Sequence, residues 1–267
     1  NFYPQILDFK NNLGQPSKNS NLTTVYYILS KFKKSKDTKE YKKQIFSKTI
    51  LNNKTAADKV NIYFARANIL HKEKKYEDSS KYLQLANNLK LDLNPFNSDT
   101  FINKSRTLLI ESDKKEINKK EYTKFPDSIF IVGMPRSGST LLESIISMNT
   151  IVDDLGEINI LEESFLEQKK IDHELTLTDI YWKKIGDYTS ELNITTNKWL
   201  YNYQYTGIIA TQIPYAKIIH CFRNPLDNIL SIYRANFEQG STYSSSINDC
   251  AKVYLNQKEV MDYYKKK

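Results

Sequence analysis

Residues 129–140 read IFIVGMPRSGST. The apolar run SIFIV over 128–132 is short, continuous and β-branched, which suits a buried parallel strand. STLLESIISM over 139–148 has the spacing of an amphipathic helix. Between them lies a loop bounded by Gly133 and Gly138. A strand that feeds through such a loop into a helix is the setting an anion-binding loop needs. Loop amides and those of the first helical turn point inward, and the helix N-terminus adds partial positive charge. Gly133 and Gly138 allow positive φ and close approach of an anion. Ser139 and Thr140 add hydroxyl donors, and the guanidinium of Arg136 can fork onto phosphate or sulfate oxygens.

The spacing also satisfies G-x4-G-x-[ST], so a nucleotide kinase or triphosphatase is the competing reading. Ser139 stands where that loop carries its Lys. Without that Lys, clamping of β- and γ-phosphates loses its main charge. A second buried strand is expected at 216–222 (AKIIHCF), after a helix over 205–213 that Pro214 ends. It ends at Arg223, where a triphosphatase strand often ends in Asp to reach magnesium. A cation at a strand tip suits an anionic ligand. A further helix is expected over 226–238, and TTNKW (195–199) reads as a strand end or loop. Strands alternating with helices point to an α/β domain with a parallel sheet over 125–267.

Upstream, the pattern is helical throughout. Apolar residues at spacings of three and four mark 21–51 and a hairpin over 60–90, and a helix is expected over 100–112 with its cap at Ser98 or Asp99. The charged stretch 114–127, ending near Pro126, reads as a linker, which makes 1–124 an all-α region.

The 267 residues are 40% apolar and 26% charged, the balance of a globular protein with a sizeable core. A net charge of +8 suits a polyanionic ligand or a Lys-rich solvated surface. The basic runs at 32–43 and 265–267 lack the interleaved aromatics of a nucleic-acid groove, so no nucleic-acid partner is expected. Cys221 and Cys250 have neither CxxC spacing nor a nearby His pair, which argues against a metal site or disulfide framework and for a reducing, cytoplasmic compartment. No apolar run approaches the ~20 residues of a membrane span.

GMPRSGSTLLE (133–143) resembles the 5′-phosphosulfate loop of sulfotransferases. It is most similar to a bacterial group in which tetratricopeptide repeats precede the catalytic domain, related to protein-tyrosine sulfotransferases. The resemblance extends over roughly 60–267. It implies 3′-phosphoadenylyl sulfate (PAPS) as donor, leaving as 3′,5′-ADP, with no metal, and a hydroxyl acceptor on a protein tyrosine, a carbohydrate or a small molecule. It places Pro135, Arg136, Ser137, Gly138, Ser139, Thr140 and Leu141 at the donor's 5′ end. Arg223 and, eight residues on, Ser231 match the family's 3′-phosphate motif. Glu157, after a short turn containing Gly156, takes the place of the catalytic base, with Asp153 and Asp154 as nearby rivals that are more often turn residues. Lys198 occupies the position that contacts the sulfuryl bridge, with Arg136 acting beside it, although Trp199-Leu200 replaces the family's Pro-containing context. His220 lies inside the apolar strand and reads as a core residue, while His71 and His173 lie in a helical turn and a polar loop. The stretch 236–246 is similar to the family's acceptor-side segment.

The hairpin at 60–90 resembles a tetratricopeptide repeat, with Ala67, Ser79 and Ala86 at the small-residue crossing and Arg66 where the repeat usually has Leu. A protein partner or self-association through the helical region follows from that likeness. The family's domain continues well beyond YYKKK, so a C-terminally truncated domain is expected. A kinase or triphosphatase, and a non-catalytic interaction protein with a degenerate second domain, stand as alternatives.

Overall fold

The computed structural model describes residues 22–32, 38–114, 127–170, 175–186, 188, 194–237 and 241–267. The central part of the linker (115–126), residues 33–37 of the basic run, His173 and residues 238–240 lie outside these. The chain forms two compact units, 1–95 and 96–267.

In the first unit, α1 (Leu22–Lys31), α2 (Thr38–Ile45), α3 (Ala56–Lys72) and α4 (Tyr76–Leu93) follow in order. The expected single helical stretch over 21–51 is thus two helices and a short 3-10 turn, Thr49–Leu51. The hairpin of α3 and α4 crosses on small residues. Ala67 and Ala86 are buried, and the buried hydroxyl of Ser79 donates to the Ala67 carbonyl at 2.8 Å. Arg66 is buried because it acts as a cap. Its guanidinium donates to the carbonyls of Ile45 (2.9 Å) and Ser47 (3.3 Å) and lies over the rings of Phe46 and Tyr82. Those carbonyls belong to the end of α2, where no further turn of helix satisfies them.

The second unit begins with α5 (Ser98–Asp113), which the sequence pattern had grouped with the upstream helices. Its cap is Asn97, whose side chain accepts from the Thr100 amide, one residue ahead of the expected Ser98 or Asp99. Then come β1 (Ser128–Gly133), α6 (Ser139–Ile146), β2 (Val152–Asp154), α7 (Ile160–Lys170), α8 (Leu177–Ile185), β3 (Ile194–Asn197), α9 (Thr206–Gln212), β4 (Lys217–Cys221), α10 (Pro225–Tyr233) and α11 (Ile247–Lys266). The four strands form one parallel sheet in the order β2-β3-β1-β4. The core takes Phe130 and Val132 from β1, Leu161 and Phe165 from α7, Tyr181 and Ile185 from α8, and Tyr203, Tyr205 and Ile208 around α9. A second cluster joins Met134, Ile232, Tyr243, Cys250 and Val253.

α5 joins this unit through both apolar and polar contacts: Leu108 enters the core, Phe101 packs against Tyr201 and Tyr243, and three hydroxyl or amide pairs add to them. Ser105 donates to Asn256 of α11 at 2.8 Å and accepts from Gln204 at 2.6 Å, and Ser112 shares a hydrogen bond with Tyr264 at 2.5 Å. β2 is a correction to the sequence reading, in which Asp153 and Asp154 were turn residues. They pair with Thr195 and Thr196 of β3. His220 is half-buried rather than a full core residue, and its Nε2 meets the side-chain amide of Gln257. Among the described residues, no helix is long and apolar enough to cross a membrane.

Candidate active site

β1 lies between β3 and β4, so the loop leaving β1 emerges at the carboxyl edge of a parallel sheet, where α/β proteins place ligands. Gly133 is forced by geometry. Its φ is +146°, and a Cβ there would sit 2.3 Å from the Cys221 carbonyl oxygen on β4. Gly138 is left-handed (φ +100°) with open space where a Cβ would point, and it caps α6 without help from any side chain. Arg136 is also left-handed, at φ +67°. For a residue with a Cβ this is a strained state that the surroundings must maintain. They do so through Asn228, which is fully buried on α10 and donates to the Pro135 carbonyl at 2.9 Å.

The same contacts gather the residues of the two expected anion sites. Nε of Arg136 donates to the Ser231 hydroxyl at 3.3 Å, and the Arg223 guanidinium donates to the Arg136 carbonyl at 3.4 Å. The Arg223 carbonyl accepts from the Tyr254 hydroxyl at 3.0 Å. Asn224 caps α10 by accepting the amides of Leu226 and Asp227, and Pro225 fits the first helical turn. Arg136 and Arg223 are both exposed, so two cations of like sign face solvent on adjacent loops. That placement is favourable when an anion lies between them. Ser137 Oγ is buried with no hydrogen-bond partner among the described residues, an orphan polar atom inside the loop. Leu141, by contrast, turns its side chain outward.

Glu157 and Lys198 are brought together by β2 and its continuation. Beyond β2, the Leu155 amide donates to Thr196 and the Lys198 amide donates to Gly156, both at 2.9 Å. Gly156 is left-handed (φ +64°) and turns the chain so that the carboxylate of Glu157 meets Nζ of Lys198 in a direct hydrogen-bonded ion pair. Asn197 secures the following turn, where the family's Pro is missing. Its Oδ1 accepts from the Trp199 amide and the Asn202 side chain, each at 3.0 Å, and its Nδ2 donates to the Ile158 carbonyl at 3.3 Å. Lys198 also lies 3.7 Å from a carboxylate oxygen of Glu143, a buried residue of α6 that the sequence pattern did not single out.

A cavity of about 310 Å³ is lined by Arg136, Ser139, Thr140 and Glu157, and by the aromatic side chains of Trp199, Tyr201 and Phe237. It therefore puts loop hydroxyls, one carboxylate and an aromatic wall around the same space. Lys198 lies behind Glu157 rather than on the cavity surface, and Arg223 and Ser231 reach it through Arg136. Ser241 joins the lining and shares a hydrogen bond with Tyr201 at 2.9 Å, which puts part of the segment 236–246 at the site.

Comparison with known proteins supplies a family for this arrangement. The model of the sulfotransferase family matches residues 126–266, from the strand that opens the loop to the end of α11. A stretch of 129 residues is 32% identical to an uncharacterized protein of Aquifex aeolicus (strain VF5), covering 41% of this chain and 17% of that protein. No solved structure matches.

Proposed function

Because the chain belongs to the sulfotransferase family, we propose that it transfers a sulfuryl group from PAPS to an acceptor hydroxyl and releases 3′,5′-ADP. The observation that supports this reading best is the convergence of Arg136, Arg223 and Ser231 beside the N-terminus of α6. A donor with phosphates at both the 5′ and 3′ positions needs two cationic contacts within one nucleotide's reach. A triphosphate site would instead need the Lys that Ser139 replaces. The orphan hydroxyl of Ser137 and the open side of Gly138 fit an oxyanion seated in the loop.

PAPS, when bound, supplies SO₃ on its 5′-phosphate oxygen; that S–O bond breaks as the acceptor oxygen bonds to sulfur. On this reading Pro135 to Leu141 provide amides and hydroxyls for the 5′ end, while Arg223 and Ser231 receive the 3′-phosphate. Glu157, exposed at the cavity, accepts the proton of the acceptor hydroxyl. Lys198 and Arg136 steady negative charge on the transferring and leaving oxygens. Trp199, Tyr201 and Phe237 provide apolar contact for the body of the acceptor. The small-residue crossing of α3 and α4 supports a repeat-like helical unit, whose role would be to hold a protein partner or a second copy.

The test is release of 3′,5′-ADP from PAPS in the presence of tyrosyl peptides, sugars and small hydroxyl compounds. The wild type is expected to turn over with at least one class, and Glu157→Gln to lose about 10²-fold or more. Wild-type turnover with ATP and magnesium instead of PAPS, or full activity in Glu157→Gln, overturns the assignment.

A further inference from the structure

α6 is amphipathic in the reverse of the usual sense. Its buried residues are Ser139 and Glu143, one turn apart on one face, while Leu141 and Ile145 are exposed. Burying a carboxylate is unfavourable unless a cation and hydrogen-bond donors meet it. Glu143 finds both at the end of β3: the Thr196 hydroxyl donates to it at 3.4 Å, and the Lys198 ammonium lies 3.7 Å away. The side chain of Lys198 is 4% exposed and that of Glu143 is 9% exposed, whereas Glu157 is 61% exposed. One ammonium thus sits between a buried carboxylate behind it and a solvent-facing carboxylate in front. Burial pushes the Glu143 carboxyl upward and the Asp154 and Glu157 carboxylates add to that, while Lys198 favours the charged form.

We propose that Glu143 is a positioning residue for the transfer reaction, holding Lys198 in place so that Glu157 is free to leave the ammonium and take the acceptor's proton. The inference rests on the sulfotransferase reading and adds a residue to it. The logic is one of charge balance. If Glu157 were the sole partner of a buried ammonium, the oxygen needed as base would stay bound to it. On taking up a proton Glu157 becomes neutral and stops being a counter-ion, at the moment when charge moves onto the oxygens near Lys198. Glu143 keeps the ammonium paired through that step without touching the substrate. Its distance of 3.7 Å, against the direct bond to Glu157, leaves Lys198 able to lean toward an oxygen in the cavity.

The experiment is a double-mutant cycle of Glu143→Gln and Lys198→Met, with 3′,5′-ADP affinity, the KM for acceptor, kcat and thermal melting measured for each. Glu143→Gln alone is expected to lower kcat by about 10²-fold, the penalty for a misplaced reacting group, with 3′,5′-ADP affinity within about twofold of wild type. In the Lys198→Met background the same substitution is expected to change kcat by less than about twofold and to raise the melting temperature, because it removes a buried unpaired charge. Multiplicative losses of kcat, an unchanged kcat in Glu143→Gln, or a further drop in melting temperature in the double variant overturns the proposal. If Glu143→Gln alone does not fold, recovery of folding in the double variant supports the pairing and continued failure to fold refutes it. Inertness of the wild type toward PAPS would count against the parent reading, and the melting arm of the cycle would still test the pair.

Discussion

Replacing Gly133 by Ala tests how tightly the loop after β1 is tied to the sheet. The new Cβ would lie 2.3 Å from the Cys221 carbonyl oxygen, and real Cβ atoms essentially never come closer than 3.0 Å. β1 and β4 would have to part by at least about 0.7 Å there. That is enough to stretch one or two ladder hydrogen bonds near Gly133 and Cys221 past useful length, at about 1 kcal/mol each. Holding Ala at φ +146° costs a further 1–3 kcal/mol or so. Together the loss is about 2–5 kcal/mol, which for a unit of this size lowers the melting temperature by roughly 5–15 °C. Urea denaturation followed by far-UV circular dichroism gives the first figure and a thermal scan the second, and 3′,5′-ADP binding should weaken in parallel because the loop starts at this residue. A Gly133→Ala protein within about 0.5 kcal/mol of wild type, the range of an inconsequential surface change, would show that the two strands are not packed as described.

Other consequences follow from the same contacts. Asn228→Ala removes the donor that holds the Pro135 carbonyl, and is expected to destabilise the protein by about 1–3 kcal/mol; its 3′,5′-ADP affinity, read by calorimetry, should fall although Asn228 is not proposed to touch ligand. Asn197→Ala frees the turn that carries Lys198 and exposes the Ile158 carbonyl, so kcat should drop more than 3′,5′-ADP affinity does. Burial, helped by Lys265, pushes the His220 imidazole below its usual range, while Gln257 and Asp262 oppose the shift. The unfolded chain then takes up a proton near pH 6.5 that the folded chain refuses. The stability involved is present above that pH and is lost as pH falls through it, so urea midpoints should decline from pH 7 to pH 5 and His220→Gln should flatten the decline.

Much of the second unit is legible in the sequence because its strands and loops follow local rules. SIFIV is a continuous apolar run, and Gly133 and Gly138 stand where the chain needs positive φ. Pro214 and Pro225 bracket β4 and start α10 where the pattern requires. β2 was invisible because Val152, Asp153 and Asp154 look like a turn, and only pairing with β3 makes them a strand. α5 escaped its proper unit for a related reason. Its partners lie far along the chain: Ser105 and Ser112 bond to residues about 150 positions later, and Leu108 and Phe101 pack against Tyr201, Tyr243 and the core, so its apolar period alone does not say which unit it joins. Glu143 was missed because a carboxylate in an amphipathic helix is ordinarily assigned to the solvent face. The available signal was its spacing: it lies four residues after Ser139, on the same buried face of α6. The proximity of Arg136 to Arg223 could be anticipated as a requirement of one ligand, but its means, through Asn228 and Ser231 on α10, needed the fold.

The central claim is that Arg136 and Arg223 serve one doubly phosphorylated nucleotide, and calorimetric titration of wild type and Arg223→Ala with 3′,5′-ADP and with ATP–magnesium tests it most directly. The wild type is expected to prefer 3′,5′-ADP and Arg223→Ala to bind it roughly 10- to 150-fold more weakly, the usual worth of a charge-assisted contact. A preference for ATP–magnesium, or a 3′,5′-ADP affinity indifferent to Arg223, would contradict it.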